Sequence, residues 1–452
     1  MKKFKKFYFK KFCFDLDTLK ASFFYSFDNE VNFEEVIDFW VEWFKLRNDL
    51  NKDILNNLCF HLSIALWISY YKLCPTNNLV VESWFLDENQ ISFWKKFYSN
   101  WLGEFLYTNK ISPKWLFNFV NASLNKFEKM DFSTSSKALV AVWGWKDSIV
   151  SMELLEKAWI DFNTVVFWKL DEIKDSTIKI IWKKNILIKR ILSENLFDLN
   201  DSWYYNWHIP ITWVIAFVLE IVSYLYDYKY IVLSNEKSAN NWNLDWEWLS
   251  INHQYSKSLE FEKDFDSYIC NYISSNIKYF SLLRWFYELK IAEIFSYIWK
   301  RYFAYFSSCN NNFKIHSKWN HNWCWCLECP KCAFVFCILR AFLPKEEMIY
   351  IFSRDLYEDK KLDDLFRELL WISWHKPFEC VWESEEVYLA MYLSWEKEKD
   401  SKLPFILKLF EEEVLEKLDY DYIKSLKEKF LSYHDEDIIP KEIKEKVIEF
   451  KN

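Results

Sequence analysis

The spacing of apolar and polar positions changes character along the chain. From residue 136 to about 345, short apolar runs at 137–142, 163–167, 185–188 and 228–233 predict strands, and helical stretches such as 213–226 lie between them. That alternation predicts an α/β domain, a parallel sheet covered by helices, with ligands at the carboxyl ends of the strands. Residues 1–135 are rich in Phe, Tyr and Leu, carry helical-looking segments such as 57–71, and predict an N-terminal accessory domain. Residues 346–452 are more helical and charged, and 403–452 reads as amphipathic helices with solvated Glu/Lys faces.

One stretch organises the rest. Residues 138–148, Ala-Leu-Val-Ala-Val-Trp-Gly-Trp-Lys-Asp-Ser, run from a buried strand through a tight turn into a helix. A glycine-rich turn there binds phosphate, because bare backbone N–H groups and the helix dipole face the anion. Here Gly144 is flanked by Trp143 and Trp145, whose indoles fill that space and resist positive φ.

Composition offers a resolution. The chain has 27 Trp and 2 Gly in 452 residues, whereas Gly averages about 7% of proteins. The expectation is that most of these tryptophans are UGA codons that the source organism reads as glycine. The turn then becomes Gly-Gly-Gly-Lys-Asp-Ser, and it resembles the PP-loop of the ATP pyrophosphatase superfamily. Lys146 would face phosphate oxygens, Ser148 would donate a hydrogen bond, and Asp147 would hold magnesium or fix the turn. Trp94 lies in an apolar pattern and is expected to be a true tryptophan.

Charge and hydropathy narrow the class. The formal charge of −8 is spread along the chain with no basic stripe, which argues against nucleic acid. No run is long and uncharged enough for a membrane span, so a cytoplasmic protein is expected. Eleven cysteines, four of them within 324–332, fit a reducing compartment and a metal site. Cys326-Leu-Glu-Cys329-Pro-Lys-Cys332 gives two CxxC steps, and Cys309 completes a four-thiolate zinc site, with Cys324 and His321 as rival fourth ligands.

Further polar constellations follow apolar segments. Asn206-Trp-His-Ile-Pro210 and Ser234-Asn-Glu-Lys-Ser-Ala239 are expected as strand-end loops, with His208 against phosphate or acting as a general acid. Asn252-His-Gln-Tyr-Ser-Lys-Ser258 is dense in hydrogen-bonding groups and suits an anionic substrate. Lys376-Pro-Phe-Glu-Cys-Val-Trp-Glu383 gathers a thiol and two carboxylates, the kind of groups that acid/base chemistry at carbon requires.

In this order the pieces resemble the UDP-N-acetyl-α-D-muramoyl-L-alanyl-L-glutamate epimerase family, including Ser281-Leu-Leu-Arg284 with Glu288, Ser308-Cys-Asn310, and Trp325 where the family has tryptophan. The resemblance covers most of the chain, more weakly through residues 61–75 and 93–105. It implies a PP-loop (adenine nucleotide alpha hydrolase-like) ATP-binding domain over 136–345, carrying the cysteine-rich zinc site. It also implies ATP and Mg²⁺ as cofactors and UDP-MurNAc-L-Ala-L-Glu as substrate. The terminal L-glutamate would be inverted through an acyl-adenylate, releasing AMP and pyrophosphate. Site residues on this reading are Trp143 to Ser148 and His208 for the nucleotide, and Asn252, Glu236 and Arg284 for the substrate. Cys380, His253 and Lys257 are the catalytic side chains. Two alternatives stay open: another PP-loop ATP pyrophosphatase resembling 7-cyano-7-deazaguanine synthase, and a non-catalytic Trp-rich binding module. Oligomeric state is left undetermined.

Overall fold

The computed structural model describes residues 3–202, 204–207, 211–241, 244–247, 249–298, 300–313, 324–372 and 384–448. Its strands are β1 (Lys6–Asp15), β2 (Lys20–Phe27), β3 (Val31–Asp38), β4 (Asn78–Val81), β5 (Asn118–Asn121), β6 (Ala138–Ala141), β7 (Phe162–Phe167), β8 (Asn185–Ile191), β9 (Tyr230–Leu233), β10 (Leu244–Trp246), β11 (Leu249–Ile251) and β12 (Lys278–Ser281). Ten of them form one sheet in the order β12-β9-β6-β7-β8-β3-β2-β1-β4-β5, and β10 and β11 form a separate hairpin.

The half from β12 to β8 is wholly parallel. Numbered by appearance in the chain, β8-β7-β6-β9-β12 reads 3-2-1-4-5, the doubly wound order whose direction of winding reverses between its first and fourth strands. That reversal opens a crevice between the carboxyl ends of β6 and β9. The loops leaving them are residues 142–145 and 234–236.

The alternating pattern is matched here. β6, β7, β8 and β9 fall on the four expected runs, and helix Thr212–Tyr226 follows β8 as predicted. Every residue of that helix is buried, because it is sandwiched in the core and packs against helix Lys52–Leu66.

In the first 135 residues the expected helical segment 57–71 falls on helices Lys52–Leu66 and Ile68–Tyr71, and ahead of them the chain forms an antiparallel meander, β1-β2-β3, whose edge strand β3 pairs antiparallel with β8. The reason is visible in β1: Phe7 and Phe9 are buried while their neighbours are more exposed, a period of two. The aromatic rings of Phe7, Phe9, Tyr25, Trp67 and Tyr71 interlock beneath it.

Beyond 345 the helices Ser384–Glu398 and Tyr420–Leu431 pack with Pro330–Arg340 around helix Glu288–Tyr297. Among the described residues, no helix is long and apolar enough to cross a membrane.

Among the described residues, two groups of tryptophans contrast. Trp67, Trp94, Trp213 and Trp285 are fully buried. Trp94 donates through Nε1 to the Tyr268 hydroxyl at 3.0 Å, and Trp325 is buried against Phe306 and Phe352. By contrast, Trp43, Trp159, Trp168, Trp182 and Trp371 adopt positive φ, between 51° and 78°. Trp159 and Trp182 are 89% exposed. At the end of helix Lys146–Lys157, Trp159 N–H donates to Glu156 O and Ile160 N–H to Leu155 O. Trp371 and Ile372 repeat this with Glu368 and Arg367. Both are Schellman caps with tryptophan in the left-handed position that glycine ordinarily fills.

Candidate active site

The loop after β6 sits at the crevice and feeds helix Lys146–Lys157, as the sequence predicts. Gly144 has φ +79°, and a Cβ there would lie 2.8 Å from Ile173 Cγ2, so both backbone and space demand glycine. Trp143 and Trp145 are not at positive φ. Their indoles are thus an obstacle of volume, not of backbone angle. Ser307 N–H donates to Gly144 O at 2.9 Å and braces the turn from outside. Trp145 is the N-cap residue of the helix, its carbonyl accepting from Ser148 Oγ at 2.9 Å. The first turn of any helix presents N–H groups without intrahelical partners, and these open toward the crevice.

Charge converges on this turn. Lys257 Nζ stands 5.1 Å and Lys331 Nζ 5.5 Å from the centroid of the Trp145 ring. Lys146 is buried and ion-paired with both Asp147 and Glu288. Burial works against its charge, but Asp147 and Glu288 hold its pKa above the ordinary lysine value. Burial also pushes Glu288 up to about 7; Asp147 and Glu236 add to this, while Lys146 and Lys331 oppose it. Three lysines from three elements therefore surround the turn, offset by a set of buried carboxylates.

The second loop, after β9, is tied to the strand beside it. Asn235 Nδ2 donates to Ser281 Oγ at 2.9 Å, and Ser234 Oγ to Ser151 Oγ at 2.7 Å. Glu236 is buried and its carbonyl accepts from Arg284 Nη1 at 2.5 Å. Arg284 is fully buried, and its other contacts are Lys257 O and Glu262 Oε1, each at 2.6 Å. It links the 234–241 and 252–258 loops from inside, which places its guanidinium on protein groups. Asn252 is likewise buried, donating to Ala239 O at 3.1 Å and accepting from Gln254 N–H at 2.7 Å. His253 pairs through Nδ1 with the Glu104 carboxylate.

The cysteine cluster assembles as expected. Sγ atoms of Cys309, Cys326, Cys329 and Cys332 all lie within 4.8 Å of one another. The Cys326–Cys332 and Cys329–Cys332 sulfur separations are 3.7 and 3.5 Å. A tetrahedral thiolate site with metal–sulfur bonds of about 2.3 Å has edges of about 3.8 Å, so the set fits a metal ion. Cys324 points instead to Ala304 O. His321, His208 and Cys380 lie outside the described residues, as does the rest of 376–383.

Three residues escaped the sequence reading. Lys331 reads in sequence as a spacer within Cys329-Pro-Lys-Cys332, yet the cysteine knuckle carries it to the turn after β6. Glu386 is fully buried, accepting from Leu289 N–H at 2.8 Å and Ser238 Oγ at 3.3 Å, and so joins the C-terminal helices to the second loop. Glu104 follows the other glycine of the chain and meets His253 across 149 residues. Of these, only Lys331 carried a local signal, a cation beside thiolate ligands.

Comparison with known proteins agrees with this assembly. Residues 1–282 match the family profile described as the MurL N-terminal domain, and residues 305–421 match that of the MurL C-terminal domain. A protein of Xanthomonas oryzae pv. oryzae named UDP-N-acetyl-alpha-D-muramoyl-L-alanyl-L-glutamate epimerase is 34% identical over 331 residues, covering 73% of this chain and 72% of that protein. Proteins of the same name from a Micromonospora species and Salinispora tropica are each 32% identical, over 88% and 86% of this chain and 89% and 85% of their own lengths. The chain belongs to the MurL family.

Proposed function

We propose that this protein is an ATP-dependent epimerase that inverts the terminal L-glutamate of UDP-MurNAc-L-Ala-L-Glu in peptidoglycan precursor synthesis, in the cytoplasm. The observation that carries the reading is the pair of ammonium groups, Lys257 and Lys331, converging on the Trp145 ring at the mouth of the strand-order reversal. With glycine at 143 and 145, as UGA read as glycine would give, the space held by the indole becomes an anion site. It is then lined by bare backbone, two lysines and a helix N-terminus. The left-handed, exposed tryptophans at helix ends favour the same recoding.

The chemistry explains the need for ATP. Removing the α-proton beside a carboxylate piles negative charge on adjoining atoms. Attack of that carboxylate on the α-phosphorus of ATP expels pyrophosphate and gives an acyl-adenylate, a mixed anhydride in which the acyl group no longer carries the carboxylate charge, so a side-chain base can take its α-proton. A proton returned from the opposite face inverts the centre, and water then releases AMP and the D-glutamyl product. The PP-loop at 143–148 would hold the phosphates, with magnesium, when bound, neutralising phosphate charge. Glu236, Asn252, Lys257 and Arg284 shape the substrate side, and His253 and Cys380 are the proposed proton-transfer pair. Cys309, Cys326, Cys329 and Cys332 would hold a structural zinc, since a closed four-thiolate site leaves no position for catalysis.

The test uses full-length protein carrying glycine at 143 and 145. AMP should form in step with D-glutamyl product, and only when UDP-MurNAc-L-Ala-L-Glu is present. Inversion without nucleotide consumption would refute the adenylate route.

A further inference from the structure

Resting on the proposed reaction, we infer that Arg190 and Lys72 hold the diphosphate of the UDP half of the substrate, in the space that Trp168 covers, apart from the nucleotide turn. Trp168 is the first residue past β7, and Arg190 is the last but one of β8, so both lie at the carboxyl edge of the parallel half. Neighbouring strands are about 4.8 Å apart, which sets the end of β8 about 10 Å along that edge from the end of β6.

Arg190 is a buried cation with a donor to spare. Its side chain is 2% exposed. Nε donates to Glu35 Oε1 at 2.5 Å and Nη2 to Ser69 Oγ at 2.6 Å, while Nη1 has no hydrogen-bond partner among the described residues. Lys72 follows helix Ile68–Tyr71, which carries Ser69, and its ammonium donates to the carbonyl of Trp207. Lys72 is buried, and among the described residues it forms no ion pair. Burial, and then the neighbouring charge of Arg190, pull its pKa down to about 8. Two shielded cations thus stand against one carboxylate, Glu35, a surplus that a bound anion relieves.

Trp168 lies over that surplus. Its ring centroid is 5.6 Å from the guanidinium carbon of Arg190. Its φ is +78°, and its N–H is fixed on Ile188 O at 2.7 Å. Like Trp145, it is an indole laid on a cation just past a strand end. It is also partly exposed, so glycine at 168 turns the place of the ring into a recess open to solvent with Arg190 at its floor. In the substrate, the diphosphate and the glutamate are at opposite ends of the sugar and dipeptide. One extended ligand therefore spans both places, its diphosphate on Arg190 and Lys72 and its glutamyl carboxylate at the turn after β6.

The test titrates UDP into full-length protein with glycine at 143, 145 and 168, saturated with a non-hydrolysable ATP analogue so that the nucleotide turn is filled. UDP should bind beside the analogue. Its affinity should fall about tenfold or more in Lys72→Met, in Arg190→Lys and in the chain with tryptophan at 168, as loss of a charge-assisted contact predicts. Affinity for the analogue should stay within about twofold in each. No UDP binding, displacement of UDP by the analogue, or equal UDP affinity with glycine and tryptophan at 168 would overturn the assignment. The last comparison changes a partly exposed position and so decides the matter even if a buried variant fails to fold. Absence of substrate-dependent pyrophosphate exchange would overturn the adenylation reading instead, and the UDP titration would still judge this site.

Discussion

At the scale of single residues, the tryptophans separate by what their surroundings require. Trp94 fills a closed aromatic site and finds a hydroxyl partner, which a glycine could not replace without a large cavity. Trp159 and Trp371 project outward from left-handed caps. There a Cβ costs about 1–2 kcal/mol and the ring recovers little by burial. Replacing either with glycine should raise stability by about 1 kcal/mol in chemical denaturation, whereas W94G should destabilise by several. Gly144 makes the opposite case. G144A introduces both a left-handed Cβ and a contact with Ile173, and nucleotide affinity in a binding titration should fall at least tenfold. Composition alone pointed to the exchange of Trp for Gly. It could not say which positions resist it, because that depends on φ and on neighbours distant in sequence.

At the scale of elements, β6 and its turn were legible because a short buried strand, a turn and a helix start occupy consecutive positions. The N-terminal strands were equally periodic. In β1 and β2 the buried aromatics alternate every second residue, but their partners, β3 and then β8, lie far along the chain, so the sheet that joins them was not legible locally. The charged couplings were illegible, since Glu288 with Lys146 and Glu104 with His253 are separated by more than 140 residues. One buried histidine gives a test of helix packing. His61, on helix Lys52–Leu66, meets the Tyr268 hydroxyl at 2.8 Å, and burial lowers its pKa to about 3. Tyr268 accepts from Trp94 and so can direct its own hydrogen to His61 Nδ1, leaving the ring neutral. The unfolded chain takes up this proton near the ordinary histidine value of 6.5, the folded chain only near 3. Stability contributed here is therefore lost as pH falls through that window, by at most about 1.4 kcal/mol per pH unit. Denaturation midpoints measured from pH 7 to pH 5 should show this slope, and H61Q should flatten it.

At the scale of the whole molecule, one sheet joins the aromatic N-terminal half to the parallel half, and the C-terminal helices close over helix Glu288–Tyr297. The cysteine knuckle connects stability to chemistry, because the segment that holds Cys329 and Cys332 also holds Lys331. Removing the metal with a strong chelator should release about one zinc per chain, lower the melting temperature and weaken nucleotide binding together. Lys331→Ala should weaken nucleotide binding alone, with zinc content unchanged. The most direct measurement of the account is substrate-dependent exchange of labelled pyrophosphate into ATP, compared between the chain with glycine at 143 and 145 and the chain with tryptophan there. Exchange that needs the muramoyl dipeptide and is seen with glycine is the predicted result. No exchange with glycine, or equal exchange with both, would contradict it.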